Sequence, residues 1–181
     1  MSILVTGFGP FGSVEKNPTA ELARSVDGRT VAGHTLHGVV LPVEYAASVQ
    51  QTLELASALD AQWVIGTGVA VRRERVSVER WGRRVEPARA DVAGLCSPPV
   101  SGPDRLVSTI DVEAFASALD GVVSEDAGTY VCNAWLYGVL SGCSRPATFV
   151  HVPPQGLSVE VFLDALASLS RRALSEDGGA G

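Results

Sequence analysis

Basic charge is scarce in this chain, as are cysteine, histidine and long apolar runs. Fourteen lysines and arginines face twenty aspartates and glutamates over 181 residues, for a formal charge of −6 and a pI near 5.0. That balance excludes a whole-molecule attraction to nucleic acid or to anionic lipid. Six of the fourteen basic residues do fall between Arg72 and Arg84. Glu74 and Glu79 interrupt them, and Trp81 is the only aromatic among them, so the segment is a poor nucleic-acid stripe. No segment approaches the roughly 18 apolar residues of a membrane span, and the start, MSILVTGFGPFG, has no basic leader before its short apolar run. The expectation is a cytoplasmic protein without a membrane partner. Cys96, Cys132 and Cys143 are an odd set with no C-x-x-C pair, which supports neither a disulfide framework nor a cysteine-rich zinc site. His34 and His37 lie three apart in a segment that alternates like a strand, so they point to opposite faces. No metal is expected from that spacing.

What is abundant is apolar: 46% of residues are hydrophobic and only 19% charged, with 19 glycines and 10 prolines. This is the composition of a loop-punctuated globular chain, and its length suits one core. Residues 1–181 are therefore expected to form a single domain, frayed from about 175 onward. ILVTG reads as a short strand ending in a glycine-rich turn, and NPTAELARSVDG as a helix capped by Asn17, with Pro18 at its first position and Gly28 past its end. TLHGVVLPV, WVIGTG and ATFVHV read as further strands. YAASVQQTLELASALD, DVEAFASALDG and SVEVFLDALASLSRRAL read as helices. RVSVERW alternates with period two and predicts a hairpin strand, GLCSPPVSGPD a surface loop and LVSTI another strand. The alternation of strand and helix predicts a three-layer α/β/α sandwich around a twisted, mostly parallel sheet. In such sheets ligands bind beyond the carboxyl ends of the strands, which singles out the loops after ILVT, WVIG and FVHV.

Three residues are candidates for chemistry. Cys132 falls near the start of a helix in DAGTYVCNAWLYGVL, where partial positive charge favours a thiolate and free backbone N–H groups can receive an oxyanion. Residues of SEDAGT supply good N-cap types for that helix. His151 ends an apolar strand just before Pro153 and Pro154, and Glu79 could orient its ring. Each also has an ordinary reading: Cys132 as a small core residue, His151 as a satisfied structural histidine, Glu79 as a strand carboxylate paired with Arg73, Arg75 or Arg80. TGFGPFG lacks the spacing of a phosphate loop, and Phe8 and Phe11 suit an apolar pocket better.

Taken together, LVTGFGPFG…NPT, LPVEY, VERW…AR, DAGTYVCN and FVHVP resemble, in order, the motifs of the pyroglutamyl peptidase I (pyrrolidone-carboxylate peptidase) family of cysteine peptidases. The resemblance implies a catalytic set of Glu79, Cys132 and His151. It implies a ring pocket formed by Phe8, Phe11, Asn17, Val43, Val69, Arg89 and Tyr130, with Val69 contributing backbone. It further implies hydrolysis of an N-terminal pyroglutamyl residue from small blocked peptides, no cofactor, and a homo-oligomer such as a dimer or tetramer. A neutral lactam with one N–H and one carbonyl does call for an apolar pocket with a few amide partners. The chain departs from the family pattern where Val69 replaces glutamine, Ala90 replaces isoleucine and WGRR replaces VAIN, and where the segment after HVP is short. These departures leave open another lactam, amide or thioester as substrate, or a silent binding protein on the same scaffold.

Overall fold

The computed structural model describes residues 1–97 and 101–177. In chain order the elements are β1 (Ser2–Phe8), α1 (Pro18–Val26), β2 (Thr30–Val31), β3 (His34–Leu41), α2 (Tyr45–Ala58), β4 (Ala61–Val69), β5 (Ser77–Glu79) and β6 (Trp81–Arg83). They continue with β7 (Arg105–Val107), α3 (Val112–Ala118), β8 (Val122–Ser124), α4 (Val131–Gly142), β9 (Ala147–Val152) and α5 (Val159–Asp177). Seven strands form the main sheet in the order β2-β3-β1-β4-β9-β5-β8. The four central ones, β3, β1, β4 and β9, are parallel, as the continuous apolar runs of β1, β4 and β9 predict. At the edges β2 runs antiparallel to β3, and β5 antiparallel to β9, with β8 parallel to β5.

Alternation along β1 divides the core in two. Ile3 and Val5 face α1, α3 and α5, where they meet Leu22, Val26, Phe115, Phe162 and Leu166. Leu4 and Phe8 face α2 and α4, where they meet Tyr45, Trp135, Leu136 and Phe149. Burying each such side chain contributes about 1.5–3 kcal/mol, so both layers are needed to hold the sheet. The first loop is fixed locally. Asn17 caps α1, its Oδ1 accepting from the Thr19 N–H at 3.1 Å and the Thr19 hydroxyl at 2.8 Å, while its amide donates to the Gly9 carbonyl at 3.0 Å.

Three sequence expectations change. RVSVERW is not one hairpin strand: β5 belongs to the main sheet, whereas β6 pairs with β7 in a separate two-stranded sheet. The chain crosses between sheets at Arg80, whose N–H donates to the Ser124 carbonyl at 2.8 Å and whose carbonyl accepts from the Ser108 N–H at 2.7 Å. The cap of α4 is Tyr130, in extended backbone and without a side-chain cap bond, rather than a residue of SEDAGT. Helix α5 continues to Asp177, two residues beyond the point where fraying is expected to start, and 178–181 lie outside the described residues, as do Pro98, Pro99 and Val100 of the predicted loop.

Candidate active site

Cys132 is the second residue of α4. A helix start of this kind leaves its first N–H groups without intrahelical acceptors and carries the positive end of the helix dipole. The first turn is held in place by the next residue. Asn133 accepts the Arg83 N–H at 2.9 Å and donates to the Arg83 carbonyl at 2.8 Å, docking α4 against β6. On the other side the sulfur rests against the main sheet, where a Cβ at Gly68 would stand only 2.9 Å from Cys132 Sγ and 2.7 Å from Phe149 Cζ. Glycine at 68 is thus the condition for the thiol to reach its place.

Gly68 is also the register partner of His151 across β4 and β9. The imidazole is 5% exposed and edge-on to Phe149, at 4.9 Å between ring centroids. His151 Nδ1 lies 2.7 Å from Glu79 Oε1, and the ring shares the lining of one cleft with Cys132. Glu79 is two residues along β5 from the position paired with His151, a diagonal neighbour on the same face, and is fully buried. The same Oε1 lies 2.6 Å from Arg73 Nη1.

The charges in this cluster stabilise one another. Burial pushes the Glu79 carboxyl up, but the hydrogen bond and charge of His151, the Ser124 hydroxyl and the Arg73 guanidinium outweigh it and hold it below the usual range. Burial likewise works against a charged imidazole. The charge and hydrogen bond of Cys132, then the hydrogen bond and charge of Glu79, raise His151 to about 9. Near neutral pH the arrangement favours a cationic ring beside the Glu79 carboxylate, which is what a proton donor requires.

Cys132 and His151 open onto a cleft of about 790 Å³, whose wall includes Phe11, Val69, Arg89 and Tyr130. Arg89 lies over the Tyr130 ring, 4.0 Å from its centroid, and Phe11 approaches the same ring at 6.1 Å. Burial, opposed by the Arg89 charge, raises the Tyr130 phenol, so it stays neutral. Phe8 (2% exposed), Asn17 (6%) and Val43 (4%) sit behind this wall, with Phe8 packed on Phe149 and Asn17 occupied by its capping bonds. A second cavity of about 440 Å³ between α2 and α4 shares Thr129 and Tyr130 but contains neither Cys132 nor His151. Asp91 fixes the loop that carries Arg89. Burial opposes its charge, but the Leu95, Tyr45 and Ala93 N–H groups hold the carboxyl below its ordinary range.

Gly68, Asp91 and Asn133 are not singled out by sequence, and Arg73 is named only as one of three possible partners of Glu79. A glycine inside an apolar strand does signal close approach, so Gly68 had a readable cue in WVIGTG. For Arg73 the cue is its nearness to Glu79, which Arg75 and Arg80 share.

Residues 1–162 match a family model described as pyroglutamyl peptidase. The chain is 36% identical over 162 residues to the pyrrolidone-carboxylate peptidase of Chromobacterium violaceum, covering 84% of this chain and 77% of that one. It is 34% identical over 169 residues to the pyrrolidone-carboxylate peptidase of Mycobacterium tuberculosis, covering 83% and 76%. Among solved structures, the pyrrolidone carboxyl peptidase from Thermococcus litoralis superposes with a TM-score of 0.86 at 26% identity, over 97% of this chain and 96% of that one. That from Pyrococcus furiosus superposes with a TM-score of 0.85 at 27% identity, over 97% and 99%.

Proposed function

The chain belongs to the pyroglutamyl peptidase family, and from that premise we propose that it removes an N-terminal pyroglutamyl residue from peptides by acyl transfer through Cys132, His151 and Glu79. The observation that carries this reading is the buried Glu79–His151 pair, at 2.7 Å, beside a helix-start cysteine. The Cys132 thiolate attacks the carbonyl carbon joining the pyroglutamyl group to the next residue, and backbone N–H groups at the start of α4 receive the oxyanion. As the C–N bond breaks, the imidazolium gives its proton to the leaving amine, and a thioester remains on the sulfur. Water then attacks that thioester, His151 takes up its proton, and the thiolate departs with pyroglutamate released. Glu79 holds Nδ1, so Nε2 is the nitrogen that moves the proton.

Specificity follows from the cleft wall. Phe11, Tyr130, Val69 and Arg89 offer apolar surface and a flat cation–π pair to a planar neutral ring. Phe8, Asn17 and Val43 set the position of that wall from behind. A peptide with a free glutamate or glutamine terminus would bring an unpaired charge there, at a desolvation cost of several kcal/mol.

The same reading gives a single peptidase domain working without metal or cofactor in the cytoplasm, as a homo-oligomer. No helix among the described residues is long and apolar enough to cross a membrane. The test is hydrolysis of a pyroglutamyl amide reporter, with Cys132→Ser as control. Turnover that disappears in the variant supports the proposal. Rapid alkylation of Cys132 near neutral pH without reporter turnover would overturn the substrate assignment and leave a different lactam, amide or thioester.

A further inference from the structure

Two cations share one oxygen of a fully buried carboxylate. Glu79 Oε1 lies 2.7 Å from His151 Nδ1 and 2.6 Å from Arg73 Nη1. A carboxylate alone would suffice to fix the imidazole, so the guanidinium is an added component. Its other end is also engaged, with Nη2 donating to the Asp126 carbonyl at 2.6 Å. Asp126 belongs to the turn that leads into α4, and that turn is tied down. Its carboxylate accepts the Gly128 N–H at 2.8 Å and pairs with Arg83, while its N–H donates to the Ser124 hydroxyl at 3.3 Å. Arg73 therefore spans from the carboxylate behind His151 to the segment that delivers Cys132, and it lines the cleft itself.

We propose that Arg73 is a positioning residue of this site, setting the charge and orientation of His151 through the shared Glu79 oxygen and the seating of the Cys132 segment through Asp126. The proposal rests on the thiol-peptidase reading above. Arginine cannot lose its proton in a protein, so Glu79 meets a permanent positive charge at every working pH. Removing that charge strengthens proton binding at every nearby acidic or basic group. The groups facing it are Glu79 on β5, His151 on β9, Cys132 on α4 and Asp126 in the turn. Arg72, Glu74 and Arg75 share its loop, and Glu125 next to Asp126 is paired with Arg80. Only the Arg73 charge changes in the variants below, so a shift reports on it alone.

The test uses the full chain with Cys96 and Cys143 replaced by serine, so that iodoacetamide alkylates only Cys132. Arg73→Ala, Arg73→Gln and Arg73→Lys are compared by the pH dependence of alkylation and of kcat/KM on the pyroglutamyl amide reporter. The neutral variants are expected to move the alkylation midpoint and the acid limb upward by about half a pH unit or more. They are also expected to lower kcat/KM at neutral pH roughly tenfold or more. Arg73→Lys restores the midpoint but only part of kcat, because one ammonium does not reproduce a planar fork spanning two oxygens. Unchanged midpoints in Arg73→Ala and Arg73→Gln would overturn the proposal, whether or not activity falls, since loss of activity alone leaves only the Asp126 contact and no control of His151. If Arg73→Ala does not fold, the Gln and Lys variants measure the same shift. Alkylation is independent of the reporter, so a wild type that alkylates without cleaving it refutes the substrate reading while the arginine is still judged.

Discussion

Residues 72–84 give rise to two sets of ion pairs with the same chemistry and opposite surroundings. In one, Arg73 and His151 close on Glu79, which has no exposed surface. In the other, Arg80 meets Glu113 and Glu125, and Arg84 meets Asp104, whose side chain is 92% exposed. Water screens the second set so well that each pair is nearly isoenergetic with two solvated ions. Inside, screening is weak, desolvation is costly, and each charge depends on the others. The inner set can therefore shift proton affinities enough for catalysis, while the outer one serves only to keep a basic segment soluble and paired. The segment that looks like a basic patch in sequence is thus largely neutralised in the fold.

The sharpest way to break this contrast is at the sulfur, where the inner set ends. Cys132→Ser is expected to reduce reporter turnover by about a thousandfold or more. It should also act at a distance from the chemistry. Burial alone lowers the His151 value, and Cys132 heads the influences that raise it to about 9, so the imidazole midpoint followed by NMR should fall in the variant. A midpoint that stays near 9 would sink the thiolate–imidazolium pair.

Glu79→Gln comes next. It removes the counter-charge of two cations while keeping the shape, and a drop in kcat of roughly 10²–10⁴-fold is expected from a mis-held proton carrier. Leaving Arg73 and His151 with no buried partner should also destabilise the fold by about 3–5 kcal/mol, read from urea unfolding. An equal loss on changing Asp104 to Asn would erase the difference between the two sets.

The pH dependence of stability carries the same signature with a definite sign. His151 has its folded value raised, so its contribution is complete below its ordinary 6.5 and is lost as pH climbs toward about 9. Glu79 has its folded value lowered, so its contribution is complete above its ordinary 4.5 and is lost as pH falls below that. Together they predict greatest support between 4.5 and 6.5, with a decline on the order of 3 kcal/mol between 6.5 and 9. Unfolding midpoints measured across that range should fall, and should fall less in Cys132→Ser.

Gly68→Ala tests the steric side. The new methyl would stand 2.9 Å from Cys132 Sγ and 2.7 Å from Phe149 Cζ, closer than side chains tolerate. A cost of about 1–3 kcal/mol and a slower alkylation of Cys132 are expected, because the thiol has to move away from His151. Unchanged alkylation would show that the sulfur is not seated against the strand.

Much of this site was legible before any coordinates. Asn17 and Pro18 announce α1, the apolar runs announce β1, β4 and β9, and the order of motifs announces the family, because each is written in neighbouring residues. The two sheets built from RVSVERW were not legible. Period two says that Ser77–Glu79 and Trp81–Arg83 are extended, but their partners are β9 with β8 and β7, distant in sequence and themselves only three residues long in β7 and β8. Arg73 is legible only as one of three arginines, with Arg75 and Arg80, that could pair with Glu79. The three look alike until the fold decides which one meets a buried acid.

That distinction also yields the smallest effect. Arg84→Ala removes the partner of an almost fully exposed Asp104, and no buried group is left uncompensated. Side-chain freedom regained by the released aspartate offsets most of the lost attraction, so the melting temperature should change by less than about 2 °C. Reporter kinetics should be unaffected, and added salt should shrink even that small change, whereas the Glu79→Gln deficit should persist in salt because solvent ions do not reach a carboxylate with no exposed surface. A large, salt-resistant effect at Arg84 would mean that the outer pairs feed into the site, and burial would no longer separate the two sets.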